Sequence, residues 1–351
     1  MLDRDFLTLG EEVEAALRAG SALVALESTV IAHGLPRPLN FETAQRLELL
    51  VRERGATPAT VAILGGRLCV GLDEAQLARL AESDDVRKVS RRDLAVAVAR
   101  GWDGATTVAT TLWVAARAGL RVFATGGIGG VHRGTLPDVS ADLPELARTP
   151  LTVVCSGAKS VLDLPATREW LETHGVTIVG YGCDELPAFY ERRSGLPVDA
   201  RADSPAEVAD LARARDALGL EGALLVAVPV PEDSEVEEGL MRESLSDALS
   251  EAARRGVSGR ELTPFLLAHM STAGTEIYEG GRQGSLLEGE SDGSFRLAAS
   301  TSSALFSQPS LKIFPPLFLR ACGVSVANPP SGSSGARRKR EPQRAPRRSS
   351  F

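Results

Sequence analysis

Six short apolar runs, each set off by small or polar residues and separated by helical patterns, limit this chain more than any other feature of its sequence. They are "SALVALE" (21–27), "ATVAILGG" (59–66), "LRVFATGG" (120–127), "LTVVCSG" (151–157), "VTIVGYG" (176–182) and "GALLVAVPV" (222–230). Strands apolar on both faces must be covered on both sides. Alternation with helices therefore predicts an α/β fold: an α/β/α sandwich with a mixed, largely parallel central sheet. Helices are expected from Thr43 to Glu53, from Ser90 (with Asp93 three residues on) to a stop at Gly101, and over 106–119 and 204–219. At 351 residues and 43% hydrophobic content, the chain can bury a large core.

The remaining bulk features narrow the class. Cys69, Cys155, Cys183 and Cys322 show no CxxC spacing and read as reduced core thiols. The N-terminus, "MLDRDFLTLGEEVEAALRAG", is acidic and amphipathic, unlike a signal or transit peptide, and no run reaches membrane-spanning length; a cytoplasmic location and no membrane partner are expected. A formal charge of −7 conceals an asymmetry, because residues 336–351 hold seven Arg or Lys and one Glu, +6, leaving −13 elsewhere. That basic end is short and has no aromatic residue interleaved among its charges, only Phe351 at the last position, so a disordered terminus is expected rather than a nucleic-acid site. From Ser271 to Ser310 there are nine Ser and six Gly in forty residues, and no apolar period is sustained. Residues 271–351 are thus expected to be an atypical, disordered tail behind a catalytic unit spanning 1–270.

Four stretches place ionisable or polar groups where strands end or helices begin. "LESTVIAHGLPRP" closes a strand with Glu27, followed by Ser28, Thr29 and His33. Desolvation there would raise the carboxyl pKa and suit a general acid, while a loop-capping carboxylate fits equally well. "KVSRRDLAVAVARGWDGATTVATTL" offers backbone N–H groups and hydroxyls at a helix start, the ingredients of an anion site, with Lys88 to add charge; it is not a P-loop. "ATGGIGGVHRGTLPDVSADLPELART" leads from glycines into a loop with His132, Asp138, Ser140 and Asp142, where a dinucleotide site would want a helix. Asp142 suits a hard divalent cation, or else a turn or helix cap. "TVVCSGAKSVLDLP" sets Lys159 at the rim of a strand, with a helix expected to open at Ser160 or its neighbours. A lysine in such a place is either a solvated loop residue or, if desolvated or crowded by cations, a Schiff-base nucleophile.

Taken in series, "ALESTVIAHGLPRPLN", "PATVAILGGRLCVGL", "KVSRRDLAVAVARGWDGATTVATTLWVA", "FATGGIGGVHRG", "DVSADLPELARTPLTVVCSGAKSVLDLPATREWLETHGVTIVGYG" and "ELPAFYERRSGLPV" closely resemble the pseudouridine-5′-phosphate glycosidases, or indigoidine synthase A-like proteins, over residues 7 to 270. The resemblance implies reversible cleavage of the C–C glycosidic bond of pseudouridine 5′-phosphate to uracil and ribose 5-phosphate. It implies a lysine Schiff base on an opened ribose, with Lys159 as the nucleophile and Glu27 moving protons. It further implies Lys88, Thr107 and Val108 at the phosphate, Thr125, His132 and Ser140 in the pocket, and Asp142 holding a divalent metal, usually Mn²⁺, largely through water. A homotrimer is implied as well.

Two departures qualify the match. The stretch between "GGVHRG" and "DVSADL" is about two residues shorter than the family pattern, and the Asn-rich helix that lends the family an asparagine for phosphate has no counterpart after "TPFLLAHMST"; only Asn40 and Asn328 occur in the chain. A shifted reading frame or alternative gene structure is the hypothesis for 271–351, and transcript sequence across the junction tests it. Two further readings stay open: a Schiff-base aldolase of another phosphosugar, since a lysine, an acid and a phosphate site would also serve retro-aldol chemistry, and, with the C-terminal helix lost, an inactive phosphosugar-binding protein.

Overall fold

The computed structural model describes residues 6–134, 138–232, 235, 240–257, 262, 265, 266 and 269; the expected tail over 271–351 lies outside the described residues. In chain order the elements are β1 Leu7–Leu9, α1 Glu11–Ala19, β2 Leu23–Leu26, a π-helical turn Val30–Gly34, α2 Leu39–Glu53, β3 Thr57–Leu64, β4 Arg67–Val70, α3 Glu74–Glu82 and β5 Arg87–Val89. A 3₁₀ turn Arg91–Asp93 then leads into α4 Leu94–Ala99, β6 Gly104–Thr106, α5 Val108–Ala118, β7 Val122–Ala124, α6 Asp142–Leu146 and β8 Thr152–Cys155. The chain continues through α7 Leu164–Thr173, β9 Thr177–Tyr181, β10 Ala200–Ala202, α8 Pro205–Ala217, β11 Leu224–Ala227 and α9 Leu240–Arg255.

All six apolar runs become strands of one sheet ordered β1-β4-β3-β2-β7-β8-β11-β9-β10, with β6 joining β3 to β5. From β3 through β10 every pair on that path is parallel; β4 and β6 run antiparallel to β3. The β3–β4 hairpin turns on Gly65 and Gly66, both with positive φ, as a two-residue turn between twisted strands requires. Successive strand residues enter opposite cores. Val153 and Cys155 pack on one side of the sheet with Val13, Leu112, Leu171 and Ala248, while Val154 packs on the other with Leu47, Val51 and Val208. Helices thus cover both faces, giving the expected α/β/α sandwich.

Local signals explain most helix ends. Thr107 caps α5 by accepting from the Thr110 N–H, and Gly119 closes it with φ 88°. Ser204 and Pro205 open α8, and the Ser90 N–H donates to Asp93 Oδ2 at 3.0 Å. One expected start moves: the helix after β8 opens at Leu164, not beside Ser160. Asp163 takes the cap by accepting the Ala166 N–H at 3.0 Å, and Pro165 is harmless in a first turn. The intervening residues are used to pair with the neighbouring loop, as described below.

Candidate active site

Glu27 and Thr125 each stand one residue beyond a strand, and the register Leu26↔Ala124 brings those strands, β2 and β7, side by side. From β2 the chain crosses to β3 on one side; from β7 it crosses to β8 on the other. Such divergence opens a crevice at the carboxyl edge of a parallel sheet. Within it the Thr125 hydroxyl donates a short hydrogen bond to Glu27 Oε1. Crowding by protein pushes the Glu27 carboxyl above its ordinary pKa; the Thr125 bond, Lys159 and Lys88 work against that rise, and Asp142 adds to it. Five of the expected residues therefore share one electrostatic environment.

Lys159 reaches this edge because the loops after β7 and β8 are zipped together. The Ser156 N–H donates to Gly126 O at 3.0 Å, Ile128 to Gly157 O at 3.1 Å, and Lys159 to Ile128 O at 3.2 Å. Gly157 is required in this arrangement: its φ is 91°, and a Cβ there would fall 1.9 Å from the Pro187 carbonyl oxygen. Lys159 is half-buried, and among the described residues its ammonium group has no hydrogen-bond partner.

The residues expected at an anion gather at the start of α5. Val108 is its first residue, Thr107 its cap, and Lys88 approaches from β5, whose partner strand β6 leads into that cap. Partial loss of water lowers the Lys88 pKa and the positive charge of Lys159 lowers it further, while Asp142 and Glu27 oppose both. Two ammonium groups felt by each other, beside a helix N-terminus, favour an anion between them. The threonine-rich sequence suggests several hydroxyls for that anion, but the fold commits three of them elsewhere. Thr106 Oγ1 donates to Val61 O at 2.7 Å and pairs with Thr111 Oγ1 at 2.9 Å, and Thr110 Oγ1 donates to Val89 O at 2.9 Å.

That buried network also ties the Glu27 loop to α5, a role the residues alone did not reveal. Ser28 Oγ donates to Val61 O at 2.6 Å and accepts from the Thr106 N–H at 2.8 Å; Thr29 Oγ1 donates to Thr106 O at 2.7 Å. Glu27 and the start of α5 are thereby held in one frame.

Asp142 opens α6, and both its oxygens are occupied: Oδ1 accepts from the Ala109 N–H at 2.9 Å and Oδ2 from the Gly129 N–H at 2.8 Å. Ser140 stands beside it, its Oγ accepting the Asp142 N–H at 3.3 Å. The carboxylate thus clamps the glycine loop to the α5 terminus. Among the described residues no group of three or more His, Cys, Asp and Glu could hold a metal ion. A single carboxylate with spare lone pairs fits a hard cation that keeps most of its waters, and does not fit a cage of direct protein ligands. His132 lies on the loop after β7, its N–H donating to Asp138 O at 2.8 Å and its Nδ1 3.9 Å from Asp138 Oδ2. The part of that loop expected to be short, 135–137, lies outside the described residues.

The segment 184–198 folds against the zipped loops through the Gly157↔Ala188 bridge and a 3.0 Å bond from the Phe189 N–H to Ser156 O. Its aromatic pair, Phe189 and Tyr190, was not singled out by residue type; only the run "ELPAFY" signals it.

Comparison with known proteins accords with this geometry. The family model for indigoidine synthase A like protein matches residues 12–277. A pseudouridine-5′-phosphate glycosidase of Hahella chejuensis is 51% identical over 269 residues, 76% of this chain and 89% of that protein. One of Streptomyces griseus is 56% identical over 266 residues, 75% of this chain and 82% of its own. Among solved structures, the prealnumycin C-glycosynthase AlnA in complex with ribulose 5-phosphate superposes with a TM-score of 0.76 at 34% identity, covering 91% of this chain and 95% of that one. An indigoidine synthase A-like protein of Thermotoga maritima gives 0.73 at 31% identity, covering 92% and 96%.

Proposed function

As the chain belongs to the family of indigoidine synthase A-like proteins, we propose that it reversibly cleaves the C–C glycosidic bond of pseudouridine 5′-phosphate, consuming water and yielding uracil and ribose 5-phosphate. The observation that carries this reading is the gathering of Glu27, whose pKa burial raises, and a half-buried Lys159 on the loops after β2 and β8, the two strands that flank β7, beside an anion site. Relatives at 51% and 56% identity bearing that activity support the same substrate class.

A C-glycoside offers no leaving heteroatom, so simple protonation cannot release the base. Opening the ribose gives an alternative: Glu27 donates a proton to the ring oxygen as its bond to C1′ breaks, and the Lys159 amine bonds to C1′. The amine nitrogen then supplies the electron pair that leaves C1′ as an imine while the C1′–C5 bond breaks and uracil C5 takes up a proton. Water hydrolyses the imine, returning the lysine and releasing the sugar phosphate. Glu27, its pKa raised by burial and its carboxyl oriented by Thr125, regains a proton from the Lys159 nitrogen once that nitrogen has bonded to C1′, and so can serve both transfers.

Lys88, the Val108 N–H and the Thr107 cap would hold the phosphate, with Ser140, Thr125 and His132 lining the sugar side. Asp142 would hold a divalent ion, Mn²⁺ by family resemblance, through water; such an ion supplies positive charge near the sugar phosphate. The homotrimer, a cytoplasmic location and the division into a catalytic 1–270 and an aberrant 271–351 belong to this same proposal. Among the described residues no helix is long and apolar enough to cross a membrane, and the family match runs to residue 277.

The test is an incubation of the full chain with Mn²⁺, uracil and ribose 5-phosphate, followed chromatographically for pseudouridine 5′-phosphate. Lys159→Ala should abolish product and the borohydride-trapped sugar adduct, whereas Lys88→Ala should chiefly raise KM for the phosphosugar. Product formation undiminished in Lys159→Ala would overturn the assignment. Turnover of other phosphosugars alone would favour an aldolase, and binding with no adduct would favour an inactive binder.

A further inference from the structure

Phe189 is the one non-glycine residue with a left-handed backbone among those described, at φ 66°. Aromatic residues avoid this conformation, and such outliers persist where surrounding bonds over-determine them, often at ligand sites. Here the restraints are explicit. Besides the Phe189 N–H bond to Ser156 O, the Ala188 N–H donates to Glu191 O at 2.9 Å and the Tyr190 N–H to Ala188 O at 2.8 Å.

The restraint sets the ring down at a particular place. A Cβ on Gly127 would lie 2.4 Å from Phe189 Cδ2 and 2.5 Å from Cε2, so the ring is laid directly against the glycine backbone. Gly127 is two residues from Thr125, the partner of Glu27; Ser156 is three residues from Lys159. The ring therefore sits where the loop bearing Lys159 meets the loop bearing Thr125, the partner of Glu27. It remains only half-buried, and Tyr190 meets it edge-on at 4.7 Å and 85°, fixing its plane.

The proposed reaction needs three kinds of surface at this edge. Cations and N–H groups serve the phosphate, and Lys159 with Glu27 serves C1′. A flat, uncharged pyrimidine needs an aromatic or apolar face, and Tyr181, an aromatic side chain at the end of β9, packs with the second core. The geometry points to Phe189 as the platform on which the uracil ring stacks, with Tyr190 as its buttress. This inference rests on the glycosidase reading and adds to it the base-recognition residue.

Kinetics in the synthetic direction separate the two substrates. Phe189→Gly removes the ring while accepting φ 66°, so the backbone is not strained. Its KM for uracil should rise by about tenfold or more, the scale of one base–aromatic stack, with KM for ribose 5-phosphate and the borohydride-trapped adduct formed from ribose 5-phosphate alone within about twofold of wild type. Phe189→Trp should retain most uracil affinity, and Phe189→Leu should fall between. Equal changes for both substrates, or none for uracil, would overturn the assignment. Wild-type protein that makes no pseudouridine 5′-phosphate would instead sink the reaction itself.

Discussion

Gly129→Ala puts the Asp142 clamp under direct load. Gly129 has an ordinary backbone conformation, so the added methyl acts by sterics alone: its Cβ would fall 2.2 Å from Ser140 Oγ, 2.6 Å from Ser140 Cβ and 2.8 Å from Asp142 Oδ2. Carbon atoms pack best at about 3.5–4.0 Å, so Ser140 must retreat by roughly 1 Å and the Asp142 carboxylate must shift with it. That shift lengthens two bonds, the 2.9 Å one from Ala109 and the 2.8 Å one from Gly129. Overpacking costs about 1–3 kcal/mol, and weakening a bond to a charged group adds about 1.5–3 kcal/mol. A net loss near 3 kcal/mol is expected, which lowers Tm by roughly 6–12 °C in a domain of this size. Thermal melts and urea titrations of both forms measure it. The decisive arm is the double variant Gly129→Ala/Ser140→Gly, which removes the two nearest clashing atoms and should recover more than half of the loss. A single variant within about 0.5 kcal/mol of wild type, or a double variant no better than the single, would refute the steric account of the clamp.

Two other expectations follow from the same site. Because the Glu27 carboxyl is raised above 4.5 in the folded chain, native protein holds a proton that the unfolded chain has lost, and stability must fall as pH climbs from 4.5 through the folded pKa. Glu27→Gln escapes that loss, so its stability advantage in urea melts should grow from pH 4 to pH 8, and a pH-independent gap would contradict the assignment. Thr106→Val keeps the side chain's shape but takes one donor from Val61 O and leaves the Thr111 hydroxyl without its acceptor in the core. A loss of about 1–3 kcal/mol is expected, with a reduced kcat as the Glu27 loop loosens from α5; neutrality in both measurements would show that the network does not position the acid.

Much of this protein was legible without coordinates. Successive residues of "LTVVCSG", Val153, Val154 and Cys155, are apolar, which means both faces of that strand are covered, and the structure buries Val153 and Val154 in opposite cores. Gly119 and Ser204 bounded expected helices and do cap α5 and α8, because a cap depends on a few neighbouring bonds, whereas α5 starts at Val108, two residues later than the expected 106. The Asp163 cap was missed because Ser160 offered a similar local signal, and only the pairing of its loop with Gly126–Ile128 takes those residues out of the helix. Likewise the hydroxyls of "GATTVATT" suit an anion equally well as free groups or as core bonds, and burial decided for the core.

What residue order by itself determined is the set of elements, their caps and the residue types at strand ends. Family resemblance also marked Glu27, Lys159 and Asp142 one by one. The tertiary structure decided which strand ends are neighbours: Glu27 and Thr125 are 98 positions apart and meet only because β2 pairs with β7. Strands apolar on both faces can pair with almost any other such strand, so their order is encoded in no local pattern. It emerges when helices, loops and both cores are packed at once, and the crevice, the carboxyl pKa and the placement of Phe189 all follow from that order.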